Sequence, residues 1–335
     1  MPIVSAPDEL LDLDVYVSLS RLVRREVFLK CEGFNFGGSL KLRTAASMVA
    51  AAERDGKLGD GAKLIESSSG NLGVALSVIA AAKGISFTCV TDDRCNATTV
   101  ALMRALGTDV LVLAEPHPEG GLLRARIDRV RELCAADPGF VWLNQYGNDA
   151  NWIAHYEVTA PAIARRFPGL DVVFCGTGTG GTAMGCARYF RGHGQRTRVV
   201  AVDSVGSVNF GGPAGPRFIP GLGAGVRPAL LDPALVDDVV HVHERDTIRM
   251  CRKLAANGMV FGGSTGTILR GALDWLDRHD PGGQLKSVVI APDLGERYLS
   301  TVYDDEWVLR HFGPEALEPL PEGGHREPRV RCRAC

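Results

Sequence analysis

Residues Lys63 to Asp92 read KLIESSSGNLGVALSVIAAAKGISFTCVTD: a short apolar run, a turn of serines, glycine and asparagine, a helix-length apolar stretch, and a second β-rich run. Two strands with one helix between them make a βαβ unit, because parallel strands need a crossover of a dozen residues or more. The alternation extends both ways. VFLKC, DVLVLAE, VWLNQY, DVVFCGTG, RVVAVDS, VVHVHE and LKSVVIAPD read as strands, and GLLRARIDRVRELCAAD reads as an intervening helix. The predicted fold is α/β, with two doubly wound parallel-sheet domains.

A chain of 335 residues, 45% hydrophobic, is long enough for two such units. The loop-like run from Phe140 to Trp152, with Gly147, Asn148, Asp149 and Asn151, marks the expected boundary between domains 1–150 and 151–310. The first ~35 residues are free to pack on the second domain. From 311 to 335 the chain is rich in Pro, Gly and charge without periodicity and is expected to be a flexible tail. Cys332 and Cys335 fall in that tail, outside the βαβ context a redox CxxC needs.

A net charge of -2, from 37 basic and 39 acidic residues, gives no electrostatic reason for a nucleic-acid or anionic-membrane partner. No apolar run reaches the roughly 18 residues a membrane helix needs. Of nine cysteines, Cys89, Cys134, Cys175 and Cys186 lie in apolar periodic segments, and MPIVSAPDELLDLD lacks a signal pattern, so a reduced cytoplasmic protein is expected.

Four glycine or serine turns carry the chemistry. In FNFGGSLKLRT, Phe34 to Thr44, two glycines precede Ser39, the expected N-cap, and set Lys41 in a helix's first turn, where the helix dipole disfavours a cation. An ordinary surface lysine is the alternative. In ESSSGNLG, Ser68, Ser69, Gly70 and Asn71 exceed what a cap needs and suit a carboxylate at a helix start. CGTGTGGTAMG, Cys175 to Gly185, follows an apolar strand and describes a phosphate cradle. Asp203 at the end of the next strand keeps a nicotinamide-binding alternative open. FGGSTGT, Phe261 to Thr267, opens another helix with Ser264.

Together and in this order, these elements resemble the β-family of pyridoxal-phosphate enzymes, which includes cysteine synthase, cystathionine β-synthase and tryptophan synthase β, over about residues 10 to 308. The resemblance implies fold type II and pyridoxal 5'-phosphate as cofactor. It implies that Lys41 forms the Schiff base, that Ser68 to Asn71 bind the substrate carboxylate with Gln145, and that Asn71 also bonds the ring oxygen. Gly178, Thr179, Gly180, Gly181 and Thr182 would hold the phosphate, and Ser264 would face the pyridine nitrogen. A neutral serine there would leave that nitrogen unprotonated and favour β-elimination through an aminoacrylate, with Lys41 as general base. A homodimer is implied as well.

The lysine stretch, Asn35 to Arg43, lacks the proline and aspartate usual in cysteine synthases, and Leu72 replaces a usual threonine. That stretch and APDLGERYLSTVYDDEW, Ala291 to Trp307, are closer to synthases of 2,3-diaminopropionate biosynthesis for siderophores and peptide antibiotics. Those synthases join O-phospho-L-serine and L-glutamate, and a partner dehydrogenase cleaves the product. The resemblance thus implies amino-acid substrates and an arginine near the pocket, for which Arg217 and Arg227, flanking FIPGLGAGV, are the candidates. Cysteine synthesis from O-acetylserine or O-phosphoserine is the alternative, followed by a serine or threonine dehydratase. His241 and His243 alternate on a strand with no further ligand at metal spacing except neighbouring Glu244, and read as solvated.

Overall fold

The computed structural model describes residues 3–11 and 13–320. Its strands are β1 (Tyr16–Ser18), β2 (Val27–Cys31), β3 (Lys63–Ser67), β4 (Ser86–Asp92), β5 (Asp109–Leu113), β6 (Phe140–Trp142), β7 (Val172–Gly176), β8 (Arg198–Ser204), β9 (Asp238–Val242) and β10 (Ser287–Ala291). They form a six-stranded sheet in the order β1-β2-β10-β7-β8-β9 and a four-stranded sheet in the order β5-β4-β3-β6. Only β1 runs antiparallel to its neighbour.

Both faces of the large sheet are covered, so its strands are continuous apolar runs. Phe174, Val202 and Val289 pack against Ile268, Ala272 and Trp275 of the helix Gly263–His279. The alternate residues Val173, Cys175, Ala201 and Ile290 meet Met184, Ala187 and Phe190 of the helix Gly181–Gly192. The small sheet is likewise covered. Leu64 and Cys89 face the helices Lys41–Arg54 and Asn71–Lys83, while Ile65 and Val90 face Val130 of the helix Gly121–Ala136. The helix Asn71–Lys83 is apolar all round, as expected of a buried helix, and ends at Gly84 in the left-handed conformation, φ 67°.

Sequence order and sheet membership diverge at the N-terminus, where β2 pairs with β10, Leu29 opposite Val289. The chain then crosses over, and the helix Lys41–Arg54 packs on the small sheet while its start is held at the large one. Leu40 N–H donates to Pro292 O at 2.8 Å. A buried charge network braces this crossover. Fully buried Lys30 on β2 pairs with Asp14 at 3.1 Å and Glu32 at 3.5 Å, and Glu32 pairs with Arg43 at 3.0 Å.

Two expectations need correction. The run from Phe140 is not all loop, because Phe140 to Trp142 pair with β3 as an edge strand and Ala150–Ala154 is helical. Residues 311–320 are not tail. The helix Asp305–Phe312 and the turn Pro314–Leu317 close a small core in which Val308 and Ala316 are fully buried, and apolar burial outweighs the Pro and charge content. Cys332 and Cys335 lie outside the described residues. Among those described, no helix is long and apolar enough to cross a membrane.

Glu32→Ala removes the carboxylate shared by Lys30 and Arg43. Breaking a buried ion pair from one side costs about 3 kcal/mol or more, so urea unfolding of the variant should shift to markedly lower denaturant.

Candidate active site

β2, β10 and β7 are adjacent and parallel, so their carboxyl ends open on one edge, where open α/β sheets bind ligands. The segment after β2 leads to Lys41, the glycine loop follows β7, and Asp293 follows β10. The serine turn after β3 joins them through Asn71, whose Nδ2 donates to Asp293 Oδ2 at 2.8 Å.

Lys41 is the first residue of its helix. Leu40, not Ser39, holds the cap position, because Ser39 is drawn into a bridge with Asp293; its Oγ still accepts the Lys41 N–H at 3.3 Å. The residue is half-buried, and desolvation lowers its amine to about 8. No carboxylate among the described residues forms an ion pair with it, so nothing offsets the burial, and the neutral fraction near physiological pH is far larger than for an ordinary lysine.

The helix Asn71–Lys83 has Gly70 at its cap, and Ser68 Oγ accepts from Gly73 N–H at 3.0 Å and Gly70 N–H at 3.3 Å. Ser69 and Asn71 are half-buried at the lip, while Ser68 is spent on the turn itself. Glu66, fully buried, holds this turn to the next loop. It accepts from Ser67 N–H at 2.8 Å, Trp142 Nε1 at 3.0 Å and Gln145 N–H at 3.2 Å, while Gln145 Nε2 donates to Ser67 O at 2.9 Å. Burial raises the Glu66 carboxyl to about 7 against those donors.

The loop Gly178 to Thr182 opens the helix Gly181–Gly192, with Gly180 at φ 89°. A Cβ on Gly181 would stand 2.1 Å from Asn151 Oδ1, and one on Gly178 would stand 2.9 Å from Gly221 O, so these positions exclude side chains. Asn151 Nδ2 donates to Thr179 Oγ1 at 3.0 Å and to Gln145 O at 2.7 Å, tying the cradle to the carboxylate turn. Buried His155 lies 3.3 Å from both Thr182 Oγ1 and Thr44 Oγ1 and joins the cradle to the Lys41 helix. Burial, then the charges of Arg43 and Lys41, hold it neutral, far below the ordinary histidine range. It sits in a π-helical turn, His155–Thr159, a feature often found at functional sites.

Ser264, buried, donates its hydroxyl to Asp293 Oδ1 at 2.9 Å. Tyr298 OH donates to Asp293 Oδ2 at 2.6 Å, and Arg297 bonds Asn71 Oδ1 and, at 2.7 Å, Gly37 O. Burial raises the Asp293 carboxyl, opposed by Tyr298, Asn71 and Ser264 and by the Arg297 charge. Lys41, Asn71, Ser264, Gln145 and the glycine loop are thus brought together.

Arg217 is not brought to them. Its Nη1 donates to Gly206 O at 3.1 Å and Ala224 O at 3.0 Å, bracing its own loop near Asp203 and Glu244. Asp203 is fully buried beneath that loop. Arg227 is exposed and its Nε donates to Asn209 O at 2.8 Å, while the Asn209 side chain donates to Thr177 O and Gly178 O. A different arginine stands near the carboxylate turn. Arg126 is 6% exposed, pairs with Asp92 at 3.1 Å, and leaves its buried Nη1 without a hydrogen bond. It lies within charge range of Tyr146, whose hydroxyl meets Ser67 and whose pKa burial pushes up to about 12. Asp293 and Glu66 had a legible signal, an acid at the end of an apolar run. Arg126 had none, being one of four arginines in its helix.

An amine with a lowered pKa, a side-chain-free cradle of backbone N–H groups, and a hydroxyl and an amide on one carboxylate fit an aldehyde, a phosphate and a polar ring. Residues 15–293 match the family described as pyridoxal-phosphate dependent enzyme, and the chain belongs to it. It is a pyridoxal-phosphate-dependent enzyme of the β-replacement kind, with pyridoxal phosphate as cofactor.

The chain is 41% identical over 299 residues, 88% of each chain, to a Ralstonia nicotianae N-(2-amino-2-carboxyethyl)-L-glutamate synthase. It is 39% identical over 313 residues, 91% of each, to the Cupriavidus metallidurans protein of that name. Among solved structures it resembles an O-ureido-L-serine synthase, with TM-score 0.84, 33% identity, and 91% of this chain and 96% of that one covered. A hydrogen sulfide-producing enzyme from Fusobacterium nucleatum is similar at TM-score 0.83 and 32% identity, covering 89% of this chain and 100% of that one.

Because only the neutral amine attacks, the rate at which the cofactor-free protein binds pyridoxal phosphate covalently should rise with pH up to about 8 and level off above. A profile still climbing toward the ordinary lysine range would contradict an enclosed amine. Gly181→Ala forces its Cβ onto Asn151 and should weaken cofactor retention by about 1–3 kcal/mol, read by equilibrium dialysis.

Proposed function

We propose that this protein joins O-phospho-L-serine and L-glutamate to form N-(2-amino-2-carboxyethyl)-L-glutamate and phosphate. The observation that carries the reading is Arg126, a buried guanidinium with an unpartnered Nη1 beside the serine turn, Tyr146 and Ser67. A dicarboxylate nucleophile or a phosphate leaving group calls for such a donor, and sulfide does not. The two relatives 41% and 39% identical to this chain, each named an N-(2-amino-2-carboxyethyl)-L-glutamate synthase, support the same product.

In this reading the serine turn receives the α-carboxylate of O-phosphoserine at the helix start, with Ser69, Asn71 and Gln145 adding polar contacts. Gly178 to Thr182 hold the cofactor phosphate, Asn71 meets the ring oxygen and Ser264 faces the ring nitrogen. The cofactor supplies an electron sink for the substrate Cα. Lys41 Nζ takes the α-proton, departure of phosphate opens Cβ to the glutamate amine, and Lys41 returns a proton to Cα. Its lowered pKa keeps it a base near neutrality.

The reading also makes the protein a cytoplasmic homodimer that supplies a dehydrogenase. All seven described cysteines are free thiols, which supports a reducing compartment. Exposed Phe34, Phe36 and Leu299 offer apolar surface for a second subunit.

The test is a competition in which the holoenzyme receives O-phosphoserine with equal sulfide and glutamate, and mass spectrometry identifies the product. The glutamate adduct is expected to dominate; cysteine as main product would overturn the reading and leave β-replacement intact. Arg126→Ala should raise the KM for glutamate or O-phosphoserine by about ten-fold or more, the scale of a lost charge-assisted hydrogen bond.

A further inference from the structure

We infer that Asp293 accepts the hydroxyl hydrogen bond of Ser264, leaves Ser264 only a lone pair to turn toward the ring nitrogen of pyridoxal phosphate, and so keeps that nitrogen protonated. This rests on the reading above that Ser264 faces the nitrogen. It reverses the expectation drawn from the serine alone.

The Asp293 seat is built for a carboxylate. Its side chain is 1% exposed and takes three donors, Ser264 Oγ at 2.9 Å on Oδ1, and Asn71 Nδ2 at 2.8 Å and Tyr298 OH at 2.6 Å on Oδ2. It fits only because residue 262 is glycine, where a Cβ would stand 2.1 Å from Oδ1. Asn71 cannot reverse its part, since its Oδ1 accepts from Arg297. The other titratable or charged groups acting on Asp293 are Arg297, which favours its ionised form, Cys251 and Tyr303.

A serine has one proton to give. With that proton directed at Asp293 Oδ1, an unprotonated ring nitrogen would set lone pair against lone pair. A protonated nitrogen instead donates to Ser264 Oγ, and its positive charge is balanced through the hydroxyl by the buried carboxylate. Asp293 is thus a positioning residue that sets the direction of the Ser264 hydrogen bond.

The experiment is nitrogen NMR of the holoenzyme loaded with pyridoxal phosphate isotope-labelled at the ring nitrogen. The wild-type resonance is expected in the protonated pyridinium range. In Asp293→Asn the amide oxygen belongs at the two-donor Oδ2 position, so Nδ2 faces Ser264, the hydroxyl proton turns to the ring, and the resonance should move to the hydrogen-bonded free-base range. A free-base resonance in the wild type overturns the proposal, as does an Asp293→Asn spectrum that keeps the protonated shift. Ser264→Ala separates the two readings, since a resonance unmoved by it means that Ser264 is not at the nitrogen. Should Asp293→Asn fail to retain cofactor, the wild-type spectrum decides alone.

Discussion

A single buried carboxylate, Asp293, receives hydrogen bonds from three separately folded segments: Asn71 after β3, Ser264 at the start of its helix, and Tyr298 beyond β10. An ionised group in so dry a place is tolerated only when its lone pairs are met by donors, so each segment is held in register by the cost of leaving that charge unsatisfied. Ser39 bridges to the same residue, two positions before Lys41. Lys41, the serine turn and Ser264 therefore share one reference point, and Arg297 extends it by bonding both Asn71 and the backbone of the lysine loop.

The phosphate side of the site is organised by close approach, without buried charge. The glycines of the cradle lie against Asn151 and Gly221 at distances that no side chain could occupy, and Asn151 relays the cradle to Gln145. Neutral His155 relays it to the Lys41 helix. This division suits the chemistry. Backbone N–H groups at a helix start favour an anion without bringing a cation near Lys41, whose amine must lose its proton to react.

Much of this was legible in the residue order. The alternation of β-branched runs with helix-length segments marked the α/β class, and each site turn stood out because glycines and small hydroxyls followed a strand and preceded a helix. Arginines were harder to place. Arg217 and Arg227 flank a glycine-rich loop, yet one is consumed by its own loop's carbonyls and the other is exposed and bonds the Asn209 carbonyl. Arg126 lies in a helix whose other arginines are surface residues, and only burial distinguishes it. The C-terminal residues to Leu320 misled for a related reason, because proline and charge describe local preference while Ala316 is buried by partners distant in sequence.

The sequence by itself determined the class of fold and the glycine and serine turns that join strands to helices, because these follow from local patterns: periodicity, glycine at close approaches, and polar groups at helix starts. Only the tertiary structure decided that β1 and β2 belong to the large sheet, that Arg126 is buried with its Nη1 unpartnered, and that Ser264 is not a lone neutral hydroxyl but donates to Asp293. Those outcomes depend on which residues meet across long sequence separations. A hydrogen bond's direction and a charge's burial belong to the meeting, not to either residue alone.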